Sequence, residues 1–132
     1  MEEMKEDLTT RPTLGYSNSR GAAAPIRNML HHLKIDFEDK PHETEDREEE
    51  EKESPELPNL PYLIDGEVKL TEPVHIMQYI ARKYQPALLG SSAAEFAKTL
   101  MLSDKVAALK EKAETTSGDP EATVAECRPL LT

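Results

Sequence analysis

Tryptophan is absent from this 132-residue chain, and its single cysteine, Cys127, lies near the end. One thiol cannot form an internal disulfide, so a reducing compartment is the simpler expectation, and we expect a cytoplasmic protein. Long apolar runs are lacking too, and none approaches the roughly 20 residues of a membrane-spanning helix. The acidic start, Met1 to Asp7, has neither the basic-then-apolar order of a secretory signal nor the Arg-rich character of a transit peptide.

Basic residues are few, because 16 Lys and Arg stand against 26 Asp and Glu, which gives a formal net charge of −10. An acidic surface repels the phosphates of nucleic acids and anionic lipids, so we expect neither a nucleic acid nor a membrane as partner. Residues 43–56 alone contain nine acidic and two basic residues. We interpret this segment as a solvated loop or a frayed helix. A site for a metal or a basic partner would need residues that fix its geometry, and the segment offers none.

Apolar periodicity predicts a first helix in the first quarter of the chain. Over residues 21–34, positions i, i+3, i+4 and i+7 of one helical face are occupied by Ile26, Met29, Leu30 and Leu33. The patch Leu14-Gly15-Tyr16 before this helix is typical of a strand end. The alternating residues 35–38 after it predict a half-buried strand. This part of the chain therefore has a β-α-β order.

A hairpin and a second helix are predicted after the acidic segment. Two β-prone runs, residues 62–64 and 68–70, flank the turn sequence Asp65-Gly66-Glu67. A helix is predicted over residues 73–84, where the apolar face consists of Pro73, Ile76, Met77, Ile80, Ala81 and Tyr84. A β-α-β half followed by a β-β-α half predicts an α/β protein with a thioredoxin-like fold.

A long helix is predicted after the hairpin domain. Ser92 and Glu95 have the spacing of a capping box, and the helix that they open extends to about residue 112. Its apolar residues fall on two sides, so we expect a second copy of the chain or another protein to cover them. The residues concerned are Phe96, Leu100, Leu102, Val106 and Leu109.

The predicted organisation has three parts. Residues 1–12 are expected to form a flexible arm, residues 13–86 the thioredoxin-like domain with its acidic loop, and residues 91–132 a partial helical domain. Asp119 and Pro120 have the order of an N-cap and a first helical residue, which predicts one more helix in the last part.

Three segments of the chain resemble mu-class glutathione transferases. Residues 14–21, Leu-Gly-Tyr-Ser-Asn-Ser-Arg-Gly, are similar to the catalytic strand-to-helix turn of that class. Residues 58–66, Pro-Asn-Leu-Pro-Tyr-Leu-Ile-Asp-Gly, are similar to its glutathione-binding turn and the hairpin that follows. Residues 76–84 are similar to the third helix of its thioredoxin-like domain. The resemblance covers residues 14–90, and the three segments occur in the order of the predicted elements.

The resemblance implies a glutathione site without a metal. It makes Tyr16 the catalytic residue, whose hydroxyl donates a hydrogen bond to the glutathione sulfur. It assigns glutathione binding to Arg20, Asn59, Leu60, Pro61 and Glu72. Pro61 is expected to follow a cis peptide bond, with the backbone of Leu60 pairing with the cysteinyl part of glutathione. Without the resemblance, Tyr16 fits better as an aromatic residue at a strand end that packs under the first helix. Pro61 then fits an ordinary proline at the entry of a hairpin.

The chain departs from the family pattern at one end of the implied site. Glu72-Pro73 stands where the family has a Gln-Ser pair that holds the γ-glutamyl carboxylate. Pro73 has no N–H, and the carboxylate of Glu72 repels an anionic ligand. Each lost charge-assisted hydrogen bond costs about 1.5–3 kcal/mol. Ser17 replaces the family's tryptophan, and no tryptophan is present elsewhere to hold the glycine end.

Two functions remain open. The first is a glutathione transferase that conjugates the glutathione thiolate to small electrophiles, a detoxification reaction with glutathione as substrate. The alternative is a catalytically degenerate protein of the same fold that serves as a binding or structural subunit of a larger assembly. Whether glutathione binds distinguishes the two. A thioredoxin-type redox protein is excluded because it needs a pair of cysteines.

Overall fold

The computed structural model describes residues 8–17, 21–42, 59–116 and 118–131. The chain divides into two compact units, Met1–Leu88 and Leu89–Thr132. The acidic segment 43–56 lies outside the described residues, so the interpretation of it as a solvated loop stays a prediction.

The described residues of the first unit form a four-stranded mixed sheet. Its strands are β1 (Thr13–Tyr16), β2 (Glu38–Pro41), β3 (Tyr62–Asp65) and β4 (Val68–Thr71), in the order β2-β1-β3-β4. Strand β1 pairs with β2 in parallel and with β3 in antiparallel orientation, and β3 and β4 form an antiparallel hairpin. This topology confirms the predicted thioredoxin-like fold and leaves β2 and β4 as the edge strands.

Strand β2 begins three residues later than predicted. The alternation at residues 35–38 predicted a strand there, but only Glu38 of that segment belongs to β2. After α1 the chain turns at Lys34, which has a φ of +55°, and the amide of Ile35 donates to the carbonyl of Leu30 at 3.0 Å. Because this helix-ending hydrogen bond holds the backbone of Ile35, that residue cannot join the ladder. Ile35 and Phe37 nevertheless pack against the core, so the alternation predicted burial correctly.

Two helices enclose the core of the first unit. Helix α1 (Ala24–His32) follows a single 3₁₀ turn at Gly21–Ala23, and α2 is Pro73–Tyr84, as predicted. The largest fully buried apolar side chains of both helices and the two central strands are Leu14, Ile26, Leu30, Leu63, Ile76 and Ile80. The predicted apolar faces of both helices are therefore the faces that supply the core.

A buried ion pair joins the hairpin to α2, and no pattern in the sequence predicted it. The Lys83 Nζ lies 2.5 Å from Asp65 Oδ2, to which the Tyr79 hydroxyl also donates at 2.7 Å. The Thr10 hydroxyl donates to Asp65 Oδ1 and accepts from Lys83 Nζ at 3.0 Å. Thr10 belongs to the predicted arm, so this network ties the residues just before β1 to the folded domain.

The network shifts the pKa of both charged groups. Burial by itself raises the pKa of Asp65, but the hydrogen bonds from Lys83, Thr10 and Tyr79 and the charge of Lys83 bring it below its ordinary value. Burial likewise lowers the pKa of Lys83, but the hydrogen bond and charge of Asp65 bring it above its ordinary value. Both shifts favour the ionised pair.

In the second unit, the described residues form the α-helices α3 (Ala93–Thr115) and α4 (Pro120–Cys127). The side chain of Ser92 caps α3 by accepting from the amide of Glu95 at 3.2 Å, as the capping-box spacing predicted. The carboxylate of Glu95 accepts from Ser91 rather than from Ser92. Asp119 caps α4 in the predicted way, by accepting from the amide of Ala122 at 3.1 Å.

Helix α3, which is described along its whole length, has no buried residue. Its exposed large apolar side chains include Phe96, Met101, Leu102 and Val106. Within the part of the chain that the structure describes, no helix is long and apolar enough to cross a membrane.

Candidate functional site

The strand register brings three of the predicted site residues to one end of the sheet. Gly15 pairs with Tyr62, and Tyr62 pairs with Thr71. If each antiparallel pairing is extended by one residue, Tyr16 lies opposite Pro61 and Pro61 lies opposite Glu72. The three residues then form a row at the ends of three neighbouring strands. Strands lie about 4.8 Å apart, so the row spans about 10 Å from the first backbone to the last. An extended tripeptide has about the same length, at roughly 3.3 Å a residue.

Tyr16 is the last residue of β1, and its hydroxyl lies at the start of the 3₁₀ turn that leads into α1. The Tyr16 hydroxyl oxygen accepts a hydrogen bond from the amide of Ala22 at 3.2 Å. Because that oxygen is engaged as an acceptor, its proton stays available for a second group. Tyr16 is half-buried.

Gly21 makes room for this hydroxyl. A Cβ on Gly21 would meet the Tyr16 hydroxyl oxygen, and the glycine has a φ of +35°, a backbone region that side chains disfavour. A glycine is therefore needed here both for the turn and for the position of the Tyr16 hydroxyl.

An arginine from α1 lies against the same tyrosine. The guanidinium carbon of Arg27 is 5.9 Å from the centre of the Tyr16 ring. Arg27 Nε donates to Asp39 Oδ2 on β2 at 2.9 Å, and Arg27 Nη2 donates to the carbonyl of Ser17 at 3.5 Å. The side chain of Arg27 is only 20% exposed, so its charge is held close to the end of β1.

A buried histidine fixes the backbone at this end of the sheet. The amide of His42, just after β2, donates to the carbonyl of Tyr16 at 2.8 Å. His42 Nε2 lies 2.7 Å from the hydroxyl of Tyr62, and both side chains are buried. The Tyr62 ring in turn covers Gly15, where a Cβ would overlap the ring atoms.

The glutathione-binding turn implied by the resemblance precedes β3. The Leu60–Pro61 peptide bond is cis, as predicted, and Pro61 is fully buried. Leu60 is half-buried, and Asn59 is exposed. Leu60 precedes the first paired residue of β3, so its backbone lies outside the ladder.

Glu72 connects β4 to α2 and has an uncommon backbone conformation. Its φ is +73° and its ψ is 115°, and its exposed carboxylate makes no capping hydrogen bond to α2. Pro73 is the first residue of α2 and has no N–H to offer a ligand. Non-glycine residues with positive φ concentrate at functional sites.

The other predictions for the site have different outcomes. Arg20 lies outside the described residues, so its role stays a prediction. Among the described ranges, no group of three or more His, Cys, Asp or Glu side chains is arranged to hold a metal ion.

Two residues near the site, Arg27 and His42, were not predicted from the sequence. The signal for Arg27 was available, since it is the one Lys or Arg within Ala24–His32 and follows Tyr16 closely.

Comparison with known families gives one matching family model. Residues 12–82 match the N-terminal domain of glutathione S-transferases, which is more than half of the chain. A glutathione S-transferase of Tyrophagus putrescentiae is 35% identical over 122 residues, covering 87% of this chain and 55% of the relative. A class-mu 26 kDa isozyme of Schistosoma japonicum is 36% identical over 99 residues, covering 72% of this chain and 44% of the relative.

Solved structures agree with this assignment. The pi-class glutathione S-transferase of Onchocerca volvulus superposes with a TM-score of 0.72 at 28% identity, covering 86% of this chain and 53% of that one. A Caenorhabditis elegans glutathione transferase, 22% identical with a TM-score of 0.73, shares the fold over 93% of this chain and 63% of its own. The chain spans about half the length of the curated relatives it matches. By its matching domain, its fold and its relatives, the chain belongs to the glutathione S-transferase family.

Proposed function

We propose that the chain binds glutathione along the row formed by Tyr16, Pro61 and Glu72 and directs its thiolate to a small electrophile. The observation that carries this proposal is the Tyr16 hydroxyl, which accepts from Ala22 and keeps its proton for the thiol. Glutathione is the substrate in this proposal, and no step requires a metal.

The chemistry needs a donor at the position of Tyr16. A free thiol has a pKa of about 8.5, and the thiolate is the form that attacks an electrophile. A hydroxyl that donates to the sulfur stabilises the thiolate more than the thiol, so it lowers the pKa of the bound thiol. Each unit of that shift corresponds to about 1.4 kcal/mol.

The middle and the γ-glutamyl end of the tripeptide meet different surfaces. Leu60 offers backbone groups that are not part of the sheet, and these suit the cysteinyl unit. The γ-glutamyl end meets Pro73, which lacks an N–H, and Glu72, whose negative charge repels a carboxylate. We therefore propose that glutathione binds more weakly than it would to a site with Gln and Ser at these positions.

Two variants with a control test the proposal. Isothermal titration calorimetry with glutathione is carried out on the unaltered chain, on Glu72→Gln with Pro73→Ser, and on Glu67→Gln. The double variant is expected to bind about ten-fold more tightly or better, since one charge-assisted hydrogen bond is worth about 1.5–3 kcal/mol. Glu67→Gln removes an exposed charge from the hairpin loop and should change nothing. Tyr16→Phe should abolish turnover of an activated chloronitrobenzene while leaving binding measurable.

The result also decides between the two functions that the sequence left open. No binding by either the unaltered chain or the double variant would overturn the proposal and leave the binding or structural subunit as the remaining function. In the proposed function the protein acts in the cytoplasm, as a homodimer or with a protein partner over α3. The exposed apolar side chains of α3 support such a partner.

A further inference from the structure

We infer that Arg27 is a positioning residue that holds the Tyr16 ring, and with it the hydroxyl, in the orientation that the reaction needs. The inference rests on the proposed role of Tyr16 and extends it to a residue outside the implied glutathione site. Among the described residues, the contacts of Arg27 are with the ring of Tyr16, the carbonyl of Ser17 and the carboxylate of Asp39. It acts through the ring face and the backbone next to the tyrosine.

Three contacts of Arg27 with described residues meet at this point, two at the end of β1 and one on β2. The guanidinium lies 5.9 Å from the Tyr16 ring centre, within the range of a cation–π contact. Arg27 Nη2 donates to the carbonyl of Ser17 at 3.5 Å, which is the residue directly after the tyrosine. Arg27 Nε donates to Asp39 on β2 at 2.9 Å. The arginine therefore connects α1, the end of β1 and the edge strand.

Asp39 orients the arginine. The carboxylate is 44% exposed at the edge of the sheet, whereas the arginine side chain is 20% exposed. A guanidinium is planar with five fixed donors, so one hydrogen bond to Asp39 restricts the plane of the whole group. With the group held in this way, Nη2 donates to the carbonyl of Ser17 and the guanidinium carbon lies 5.9 Å from the centre of the Tyr16 ring. Lysine carries the same charge but cannot make these contacts together.

Tyr16 needs such support because β1 ends at this residue. Its ring is half-buried, so the core covers only part of it. Its hydroxyl is held at 3.2 Å by the Ala22 amide, and a ring that tilts about its Cα moves the hydroxyl most. Losing the arginine should therefore disturb the direction of the O–H, while the glutathione contacts proposed for the backbone of Leu60 stay unchanged.

Removing the Arg27 side chain should lower kcat and leave the KM for glutathione nearly unchanged. Arg27→Ala is expected to lower kcat by about 2- to 30-fold, the range that a cation–π contact of 0.5–2 kcal/mol corresponds to. The KM for glutathione should change by less than about two-fold, because the binding contacts are elsewhere. Arg27→Lys should give an intermediate kcat. Arg11→Ala is the matched control, since Arg11 forms an ion pair with Asp36 at 3.3 Å and makes no contact with Tyr16 among the described residues.

A second measurement does not depend on glutathione. With ring-labelled tyrosine, the chain gives NMR signals from only four tyrosines, and Tyr16→Phe assigns the one of interest. In the free protein, Arg27→Ala should shift or broaden the Tyr16 ring signal and leave that of Tyr79 in place. Asp39→Ala should do the same to a smaller degree. If Arg27→Ala does not fold, the Tyr16 ring signal of Asp39→Ala, a substitution at the protein surface, still tests the inference.

The outcomes separate this inference from the proposed function. A Tyr16 ring signal that stays unchanged in both Arg27→Ala and Asp39→Ala would overturn the positioning role, even if the chain is an active transferase. A shifted ring signal in a chain that does not bind glutathione would support the positioning role and overturn only the proposed function. Equal losses of kcat in Arg27→Ala and Arg11→Ala would also contradict the inference.

Discussion

Replacing Lys83 by methionine should destabilise the first unit strongly. The side chains of Asp65 and Lys83 are 0% and 4% exposed, so the variant leaves a buried carboxylate without its ammonium partner. Breaking a buried pair by removing one member costs about 3–5 kcal/mol. A whole domain is stable by about 5–15 kcal/mol, so this single change should remove a large share of that free energy of unfolding.

Urea denaturation followed by circular dichroism measures the effect. The double variant Asp65→Asn with Lys83→Met removes both charges, and its free energy of unfolding should recover at least half of the loss. If Lys83→Met loses less than about 1 kcal/mol, the pair is solvated in solution and the reasoning is wrong. Lys110→Met is the control, because its contact with Glu114 is an exposed pair at 3.9 Å that should contribute little.

The same pair predicts how stability depends on pH. The pKa of Asp65 is lowered, so its contribution to stability is present above its ordinary value of 3.8 and is lost as the pH falls through the folded-state pKa. The pKa of Lys83 is raised, so its contribution is present below 10.5 and is lost as the pH rises through its folded-state pKa. The advantage of the unaltered chain over Lys83→Met should therefore be constant near neutral pH and narrow at both extremes.

Three further predictions concern other parts of the chain. Gly21→Ala should displace the Tyr16 hydroxyl and lower kcat by up to about 100-fold, whereas Gly118→Ala, with a φ of +97° but open space around it, should lower only stability. Deleting residues 43–56 should change the thermal unfolding temperature by no more than a few degrees, since a solvated segment buries little apolar area; a large fall would contradict that interpretation. Light scattering should show that the unaltered chain is a dimer and that Leu102→Glu is a monomer. If the unaltered chain is a monodisperse monomer, the prediction that a second copy covers α3 is wrong.

Much of the fold could be predicted because the local sequence patterns favour the same helices and turns that the packing of the core requires. The apolar faces of α1 and α2 follow a period of 3.6, and the hairpin has glycine at the position that needs a positive φ, +62° at Gly66. The cap at Ser92 was predictable for the same reason, since its hydrogen bond spans only three residues. In each case the interaction that determines the structure joins residues that are close to each other in the sequence.

The features of the fold and the site that could not be predicted depend mostly on contacts between residues that are far apart in the sequence. Asp65 belongs to a turn signal and Lys83 to the charged end of a helix, and only their packing shows that they form a buried pair. Arg27 lies beside the apolar face of α1, and its contact with Asp39 follows from the parallel pairing of β1 with β2. The start of β2 was misplaced because the hydrogen bond from Ile35 to Leu30 competes with strand pairing.

The most direct test of the account is a glutathione titration of the unaltered chain beside the Glu72→Gln, Pro73→Ser double variant. The account predicts weak binding by the unaltered chain and binding at least about ten-fold tighter by the double variant. Equal affinity of the two chains would contradict it, because Glu72 and Pro73 would then not weaken the binding of the γ-glutamyl end.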